Sequence, residues 1–140
     1  MQVDQIDHVH IEVTDRDVAA GWYGRVLGLV RHEPYASWAE DPMGPMILAT
    51  ASGIPTLSLF AREARTPSRD STIAFRVSGA AFLDFLRELD DLALQHVSGK
   101  ALTREDVVDH DLSWSIYFKD PDQNRLEVTT YDYGIVAGAI

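Results

Sequence analysis

The chain has 140 residues, of which 46% are hydrophobic and none is cysteine, and its formal net charge is −10. This length and composition suit one domain with its own core, and the lack of cysteine excludes disulfides and thiolate metal sites. The acidic balance argues against a nucleic-acid backbone as partner, because that affinity rests on clustered Lys and Arg. No apolar run approaches the roughly 20 residues of a membrane helix and no signal-peptide pattern is visible, so we expect a cytoplasmic protein that does not enter a membrane.

The first predicted strand spans residues 6–13 and alternates between apolar and polar residues. Its apolar face is expected to pack toward helices. Its other face is unusually polar and carries His8, His10 and Glu12. Polar side chains on the inner face of a sheet indicate a wet cleft.

A helix is predicted after this strand, with Thr14 or Asp15 as its N-cap and Gly28 as the left-handed residue after its end. Its apolar stripe is predicted to consist of Val18, Trp22 and Val26. Further strands are predicted near residues 29–33, 46–51 and 56–61. The proline-rich stretch 34–45 between them is expected to be a loop able to reach over a binding site. Its Trp38 and Met43 either close over an aromatic or apolar ligand or only pack locally.

The second half opens after the polar stretch 62–70, which has no periodicity and marks the boundary between the halves. A helix is predicted over residues 79–89, with a buried stripe of Phe82, Phe85, Leu86 and Leu89. Residues 98–111 are predicted to form a loop, followed by strands at 114–119 and 125–130 that are joined by the turn sequence DPDQN. His32 and His96 lack partners at informative spacing and are predicted to be surface or strand-end residues.

The two halves repeat one pattern. The stretch from Ile6 recurs 64 residues later as DSTIAFRVSGAAFLDFLREL, which sets His8 on Thr72. A second echo, offset by 69 residues, sets Ser58 on Glu127. The repeat therefore predicts two copies of one β-α-β unit and nominates these four equivalent positions for a shared cleft.

Three segments carry a resemblance to a known family: IDHVHIEVTD, WYGRVLGL and DHDLSWSIYFKDPDQNRLEV. They resemble the vicinal oxygen chelate superfamily, which includes glyoxalase I, extradiol dioxygenases, fosfomycin-resistance transferases and bleomycin-resistance proteins. The last segment is the most specific, since it follows catechol 2,3-dioxygenase-like members spacing for spacing, including the ten-residue step from Tyr117 to Glu127. Where those members often have Gly in the turn, this chain has Gln123, and Asn124 is expected to take the left-handed conformation instead.

The resemblance implies an α+β fold. Two tandem βαβββ modules would form a curled mixed sheet, or cup, with the helices outside. Module one would cover about residues 1–63 and module two about residues 70–133, within a single domain of residues 1–140. Two-module members commonly form homodimers, so we expect one here.

The resemblance also implies a divalent metal in the cup. In metal-dependent members the ligands are a His at the position of His8, usually a His at the position of Thr72, and a Glu at the position of Glu127, while glyoxalase-type members add a ligand at the position of Ser58. Here Thr72 is a poor ligand. We hypothesise that His10, about 6.6 Å from His8 on the same strand face, completes a site for Fe, Mn, Ni or Zn. Alternatively, His10 only lines the cleft, and His8 and Glu127 only shape a pocket.

Tyr117 and His110 are the candidates for chemistry. In the similar dioxygenases the corresponding side chains lie close to the substrate, where a phenol or an imidazole can donate to a developing oxyanion. Strand alternation places Tyr117 on the cup side together with Ser115 and Lys119. Alternatively, Tyr117 is a core tyrosine with a satisfied hydroxyl and His110 is an ordinary loop histidine.

Two classes of function therefore remain open. The first is a metal-dependent enzyme of the dioxygenase, lyase or isomerase kind, acting on a small molecule with adjacent oxygens. The second is a metal-free homodimer of the bleomycin-resistance kind that sequesters a cationic, partly aromatic compound. The missing ligand and the charge of −10 favour the second class. The dioxygenase-like last segment and the retained His8 and Glu127 favour the first, which we prefer, and a regulatory domain with a vestigial cleft is a third reading.

Overall fold

The structure is a computed structural model that describes residues 1–2, 5–63 and 71–140. Backbone contacts divide the chain into two compact units, Met1–Arg65 and Thr66–Ile140. Each unit holds its own mixed sheet and its own helices, which confirms the α+β class. None of the helices in these ranges combines the length and the apolar character that crossing a bilayer requires. Most of the predicted connector, residues 64–70, lies outside the described residues.

Unit 1 is a βαβββ module. Its elements are β1 (Val9–Val13), α1 (Arg16–Leu27), β2 (Val30–Arg31), a 3-10 helix (Glu33–Glu40), β3 (Met46–Ala49) and β4 (Pro55–Ala61). The strand order is β1-β4-β3-β2, with β1 and β4 parallel and the other pairs antiparallel. The first strand begins at Val9, three residues later than the sequence predicts, and β2 is only two residues long.

Helix α1 has the predicted ends but a different buried face. Asp15 is the N-cap and accepts a hydrogen bond from the backbone N–H of Val18 at 2.9 Å, and Gly28 follows the helix with a φ of 66°. The predicted stripe is correct at Val26 and wrong at the other two positions, because Val18 is 65% exposed and Trp22 is only half-buried. The buried residues of the helix are Ala19, Ala20, Tyr23 and Val26. Two alanines and a tyrosine thus face inward in place of Val18 and Trp22.

The stretch predicted as a loop, 34–45, contains the 3-10 helix and is tied to α1. The Arg16 guanidinium donates hydrogen bonds to the backbone carbonyls of Ala39 at 2.9 Å, Asp41 at 3.1 Å and Gly44 at 2.6 Å. Five donors in a rigid fork suit arginine to such clustered acceptors. The end of the stretch is therefore held against the first turn of α1.

Unit 2 repeats the βαβββ order with one added strand. Its elements are β5 (Thr72–Arg76), α2 (Gly79–Leu92), β6 (Gln95–His96), a 3-10 helix (Arg104–Asp106), β7 (Val108–Asp109), β8 (Trp114–Lys119), β9 (Arg125–Thr130) and α3 (Tyr133–Ala137). The sheet order is β5-β9-β8-β6, and β7 pairs with the start of β8. Strands β8 and β9 match the predicted bounds, whereas α2 runs three residues further and the predicted loop 98–111 contains a 3-10 helix and β7. Phe82, Leu86 and Leu89 of α2 are buried, as predicted, whereas Phe85 is only half-buried.

The turn between β8 and β9 differs from the prediction at one residue. Gln123 takes the left-handed conformation, with a φ of 71°, and Asn124 does not. Asn124 is instead held by the buried Asp120 carboxylate, which accepts from its backbone N–H at 2.8 Å and from its side-chain amide at 2.7 Å. With Asn124 held in this way, the positive φ falls on Gln123.

The strand registers confirm the internal repeat. In unit 1, His10 is the Cα partner of Ser58 across the parallel pair β1 and β4. In unit 2, Ala74 is the partner of Glu127 across the parallel pair β5 and β9. These two pairs are related by both sequence offsets at once, so Ser58 and Glu127 occupy equivalent places in the two sheets. His8 lies one residue before β1 and therefore outside this register, although the predicted strand includes it.

Candidate functional site

One face of the β8–β9 hairpin in unit 2 carries polar side chains, among them Ser115, Tyr117, Glu127 and Thr129. Tyr117 is directly opposite Glu127, and Ser115 is directly opposite Thr129. Successive residues of a strand point to opposite faces, so partners and residues two positions apart lie on the same side. Ser115 and Thr129 are buried, whereas Tyr117 and Glu127 are half-exposed.

The Glu127 carboxylate is oriented by a buried hydroxyl. Ser115 Oγ donates to Glu127 Oε1 at 2.7 Å and also lies 3.0 Å from Thr129 Oγ1. Thr129 Oγ1 in turn donates to the backbone carbonyl of Trp114 at 3.2 Å. Strand alternation predicted Ser115 on this face without a role, and Thr129 was not among the predicted site residues. The signal was available, since Thr129 follows Glu127 by two residues in the same strand.

Tyr117 and His110, the two candidates for chemistry, form a hydrogen-bonded pair. The Tyr117 hydroxyl lies 3.0 Å from His110 Nε2, and the two rings are perpendicular with centroids 6.2 Å apart. Which atom donates depends on which imidazole nitrogen carries the proton. Burial, and then the negative charge of Glu127, raise the pKa of Tyr117 above its ordinary value. The phenol therefore stays protonated at neutral pH and is available as a donor.

In unit 1, His8 is paired with its neighbour Asp7. His8 Nδ1 lies 2.6 Å from Asp7 Oδ2, and both side chains are exposed. A carboxylate on Nδ1 favours the tautomer whose Nε2 has a lone pair, which is the arrangement that metal-bound histidines commonly show. The chemistry of His8 therefore fits a metal ligand.

His10 has a different environment. Its ring packs on Phe60, with centroids 4.2 Å apart and planes inclined by 35°. By register it shares its sheet face with the buried Ser58. His10 is exposed, and this contact with Phe60 orients its ring.

The three predicted metal ligands come from both units. His8 and His10 belong to unit 1 and Glu127 belongs to unit 2, so the triad stays a prediction. Across residues 1–2, 5–63 and 71–140, no group of three or more His, Asp or Glu side chains gathers to hold a metal ion. Thr72, at the usual second-histidine position, is exposed at the start of β5, where it pairs with Arg125.

Unit 1 also holds a small cleft beside its 3-10 helix. Its volume is about 140 Å³, and it is lined by Arg31, His32, Glu33, Tyr35, Ala36, Ala39, Met46 and Ile47. The rings of Tyr35 and Trp38 stack in parallel with their centroids 4.6 Å apart. The centroid of the His32 ring lies 4.7 Å from that of Tyr35. His32 thus lies in an aromatic cluster that the sequence analysis did not foresee. Trp38 and Met43 are exposed.

Comparison with solved structures shows the same architecture in other proteins. The structure of oxidase ChaP-H2 is similar at a TM-score of 0.67 and 23% identity, covering 93% of this chain and 94% of that one. The fosfomycin resistance protein FosX from Listeria monocytogenes is similar at a TM-score of 0.66 and 11% identity, covering 96% and 99%. A glyoxylase/bleomycin resistance protein/dioxygenase domain from Frankia sp. EAN1pec is similar at a TM-score of 0.67 and 20% identity, covering 93% of each chain. At these identities the likeness establishes the fold.

No curated protein matches the sequence. The model of one protein family matches residues 5–128, which include the first βαβββ module and the second as far as Val128 in β9, with Tyr117 and Glu127. The match agrees with the resemblance of the three sequence segments and with the repeated strand order. The chain belongs to the Glyoxalase/Bleomycin resistance protein/Dioxygenase superfamily.

Proposed function

We propose that the protein is an enzyme that binds a small molecule with adjacent oxygen atoms and transfers a proton to it, with Tyr117 and His110 as the proton-handling pair. The observation that carries this proposal is the 3.0 Å contact between Tyr117 and His110, on a hairpin where Ser115 orients Glu127. Three polar groups that differ in acidity, close together and partly exposed, are typical of a site for acid–base chemistry.

Tyr117 is the proton donor in this proposal. Its raised pKa keeps the phenol protonated at neutral pH, so its O–H can donate to an oxygen on which negative charge develops. His110 Nε2 lies within hydrogen-bond distance and can return a proton to the phenolic oxygen. A positioned acid or base of this kind typically contributes about 10²- to 10⁴-fold to the rate.

His8 and Glu127 are the proposed ligands of a divalent metal ion, with His10 as the third. Asp7 prepares His8 Nε2 as a ligand, and Ser115 fixes the orientation of the Glu127 carboxylate. Two imidazoles and a carboxylate suit Fe, Mn, Ni or Zn. Such an ion, when bound, polarises the oxygens of the substrate. We further propose that the protein is a cytoplasmic homodimer.

A second candidate function is metal-free binding of an aromatic compound. Two observations favour it: Thr72 stands where a second histidine is usual, and unit 1 carries the stacked pair Tyr35 and Trp38 beside a cleft. A net charge of −10 would attract a cationic ligand. In this case no stoichiometric metal is needed.

Metal titration separates the two functions. Fe(II), Mn(II), Ni(II) and Zn(II) are titrated into the wild type and into His8→Ala, His10→Ala and Glu127→Gln. His96→Ala is the control, because His96 bonds Ser98 at 2.8 Å and belongs to no proposed site. Stoichiometric binding that is weakened at least 10-fold in the three ligand variants and kept in the control supports the enzyme.

Activity completes the test. A metal-loaded protein is assayed with catechols and 2-oxoaldehydes, and Tyr117→Phe is expected to lower the turnover rate by about 10²-fold or more with little change in substrate affinity. Wild-type protein that binds no metal below millimolar concentration would contradict the metal enzyme. It would direct the search to cationic aromatic compounds.

A further inference from the structure

His110 lies on a short turn that is closed by its own backbone. The turn joins β7 to β8, whose Asp109 and Trp114 are paired. The His110 N–H donates to the Ser113 carbonyl at 3.0 Å, and the Asp111 N–H donates to Asp109 Oδ1 at 2.8 Å. Asp111 has a φ of 65°, a conformation that non-glycine residues adopt at a cost. The carboxylate of Asp109 therefore helps to set the shape of the turn that presents His110.

The other oxygen of this carboxylate is bound by helix α3. The Tyr133 hydroxyl donates to Asp109 Oδ2 at 2.8 Å. The Tyr133 ring stacks on Trp114 with centroids 5.2 Å apart, and the Trp114 indole N–H donates to the Tyr133 carbonyl at 3.2 Å. This hydrogen bond from Tyr133 to Asp109 raises the pKa of Tyr133. The three contacts clamp the first residue of α3 to both ends of the turn.

Helix α3 is itself fixed to α2. Asp132 Oδ2 accepts a hydrogen bond from the Gly79 N–H at 2.7 Å. A Cβ on Gly79 would lie 2.9 Å from Asp132 Cβ and 3.1 Å from Ile135 Cβ, so only glycine allows this close approach. Tyr133 is thus held at a defined position before it binds Asp109.

We propose that Tyr133 is a positioning residue, whose hydroxyl holds Asp109 so that the turn keeps His110 in hydrogen-bond contact with Tyr117. This proposal rests on the proposed function only for the reason why His110 needs to be held in place. The contact between His110 and Tyr117 itself requires neither substrate nor metal. Tyr133 contacts Trp114 through its ring and its backbone carbonyl. Its hydroxyl takes no part in those contacts and instead donates to the carboxylate of Asp109, the residue before His110.

The ¹⁵N chemical shift of His110 Nε2 tests the proposal in the full chain without substrate or metal. Tyr117→Phe removes the partner hydroxyl and gives the shift of a broken pair. Tyr133→Phe keeps the ring that stacks on Trp114 and removes only the hydroxyl. Tyr131→Phe is the matched control, because Tyr131 is an exposed tyrosine whose ring lies 5.1 Å from the Arg76 guanidinium carbon.

Tyr133→Phe is expected to move the Nε2 shift more than half of the way from the wild-type value to that of Tyr117→Phe, while Tyr131→Phe leaves it in place. A Tyr133→Phe protein with the wild-type shift would overturn the positioning role, even if its melting temperature were lower. A wild-type shift equal to that of Tyr117→Phe would overturn the His110–Tyr117 pair itself, and with it the proposed acid–base site. The two failures are therefore distinguishable.

Discussion

Arg16 is the side chain that ties the stretch 33–45 to helix α1, and its removal has a calculable effect. Arg16→Ala deletes hydrogen bonds to the carbonyls of Ala39, Asp41 and Gly44. The bonds to Ala39 and Gly44 are partly buried and should each contribute about 1 kcal/mol, whereas the exposed bond to Asp41 contributes less. We expect the free energy of unfolding to fall by about 2–3 kcal/mol.

Urea denaturation and limited proteolysis measure this effect together. Cleavage within residues 33–45 should become faster in Arg16→Ala, because the end of the 3-10 helix loses its tether. Arg25→Ala is the matched control, since Arg25 lies in the last turn of the same helix and its removal should cost about 0.5 kcal/mol or less. Arg16→Lys should resemble Arg16→Ala more than the wild type, because one ammonium group cannot reproduce the fork of the guanidinium.

An Arg16→Ala protein that unfolds within about 0.5 kcal/mol of the wild type and is cleaved at the same sites and rates would refute this reasoning. It would mean that the contacts of the 3-10 helix with β3, and not the guanidinium, hold the stretch in place.

Four further predictions concern unit 2. Because burial and Glu127 raise the pKa of Tyr117, Glu127→Gln should lower that pKa. In an alkaline titration of this variant, the tyrosinate absorbance that is missing from Tyr117→Phe should appear at lower pH than in the wild type. An unchanged titration would count against the interaction between Tyr117 and Glu127. The same raised pKa favours the neutral phenol in the fold, so the wild type should lose stability above about pH 10 relative to Tyr117→Phe. Gln123→Gly should raise the free energy of unfolding by about 1 kcal/mol, since glycine adopts the φ of 71° without strain, and a loss of stability in urea would show that the side chain matters more. The hydrogen bond from Lys100 lowers the pKa of Asp106, so its contribution to stability is present above about pH 4 and is lost as the pH falls through the lowered pKa. The difference in stability between the wild type and Asp106→Asn should therefore disappear in acid. A difference that stays constant with pH would contradict this origin.

The sequence by itself determined the two β-α-β repeats, the bounds of β8 and β9, and the burial of Phe82, Leu86 and Leu89 in α2, whereas the full βαβββ order was implied by the family resemblance. These features have local causes: a period of 2 or 3.6 in hydrophobicity, a glycine after a helix and a turn sequence between two strands. The alternation of side chains along β8 also placed Tyr117 and Ser115 on one face, as the register with β9 confirms. The family was also recognised from the sequence, through three short segments that resemble its motifs.

The tertiary structure alone decided the features that depend on partners distant in sequence. The buried face of α1 consists of Ala19, Ala20, Tyr23 and Val26, because burial depends on how each side chain fits its neighbours in space, which hydrophobic periodicity does not measure. The stretch that the sequence predicted as a loop contains a 3-10 helix, and the hydrogen bonds of Arg16 anchor the end of that stretch.

The same holds for the candidate site. The contacts between Ser115 and Glu127, His110 and Tyr117, and Asp109 and Tyr133 join residues 12, 7 and 24 positions apart. Strand pairing and the docking of α3 bring these groups together, and neither leaves a periodic signal at those spacings. Residue types therefore indicated which groups could do chemistry, and only the register of the strands and the packing of α3 decided which of them touch.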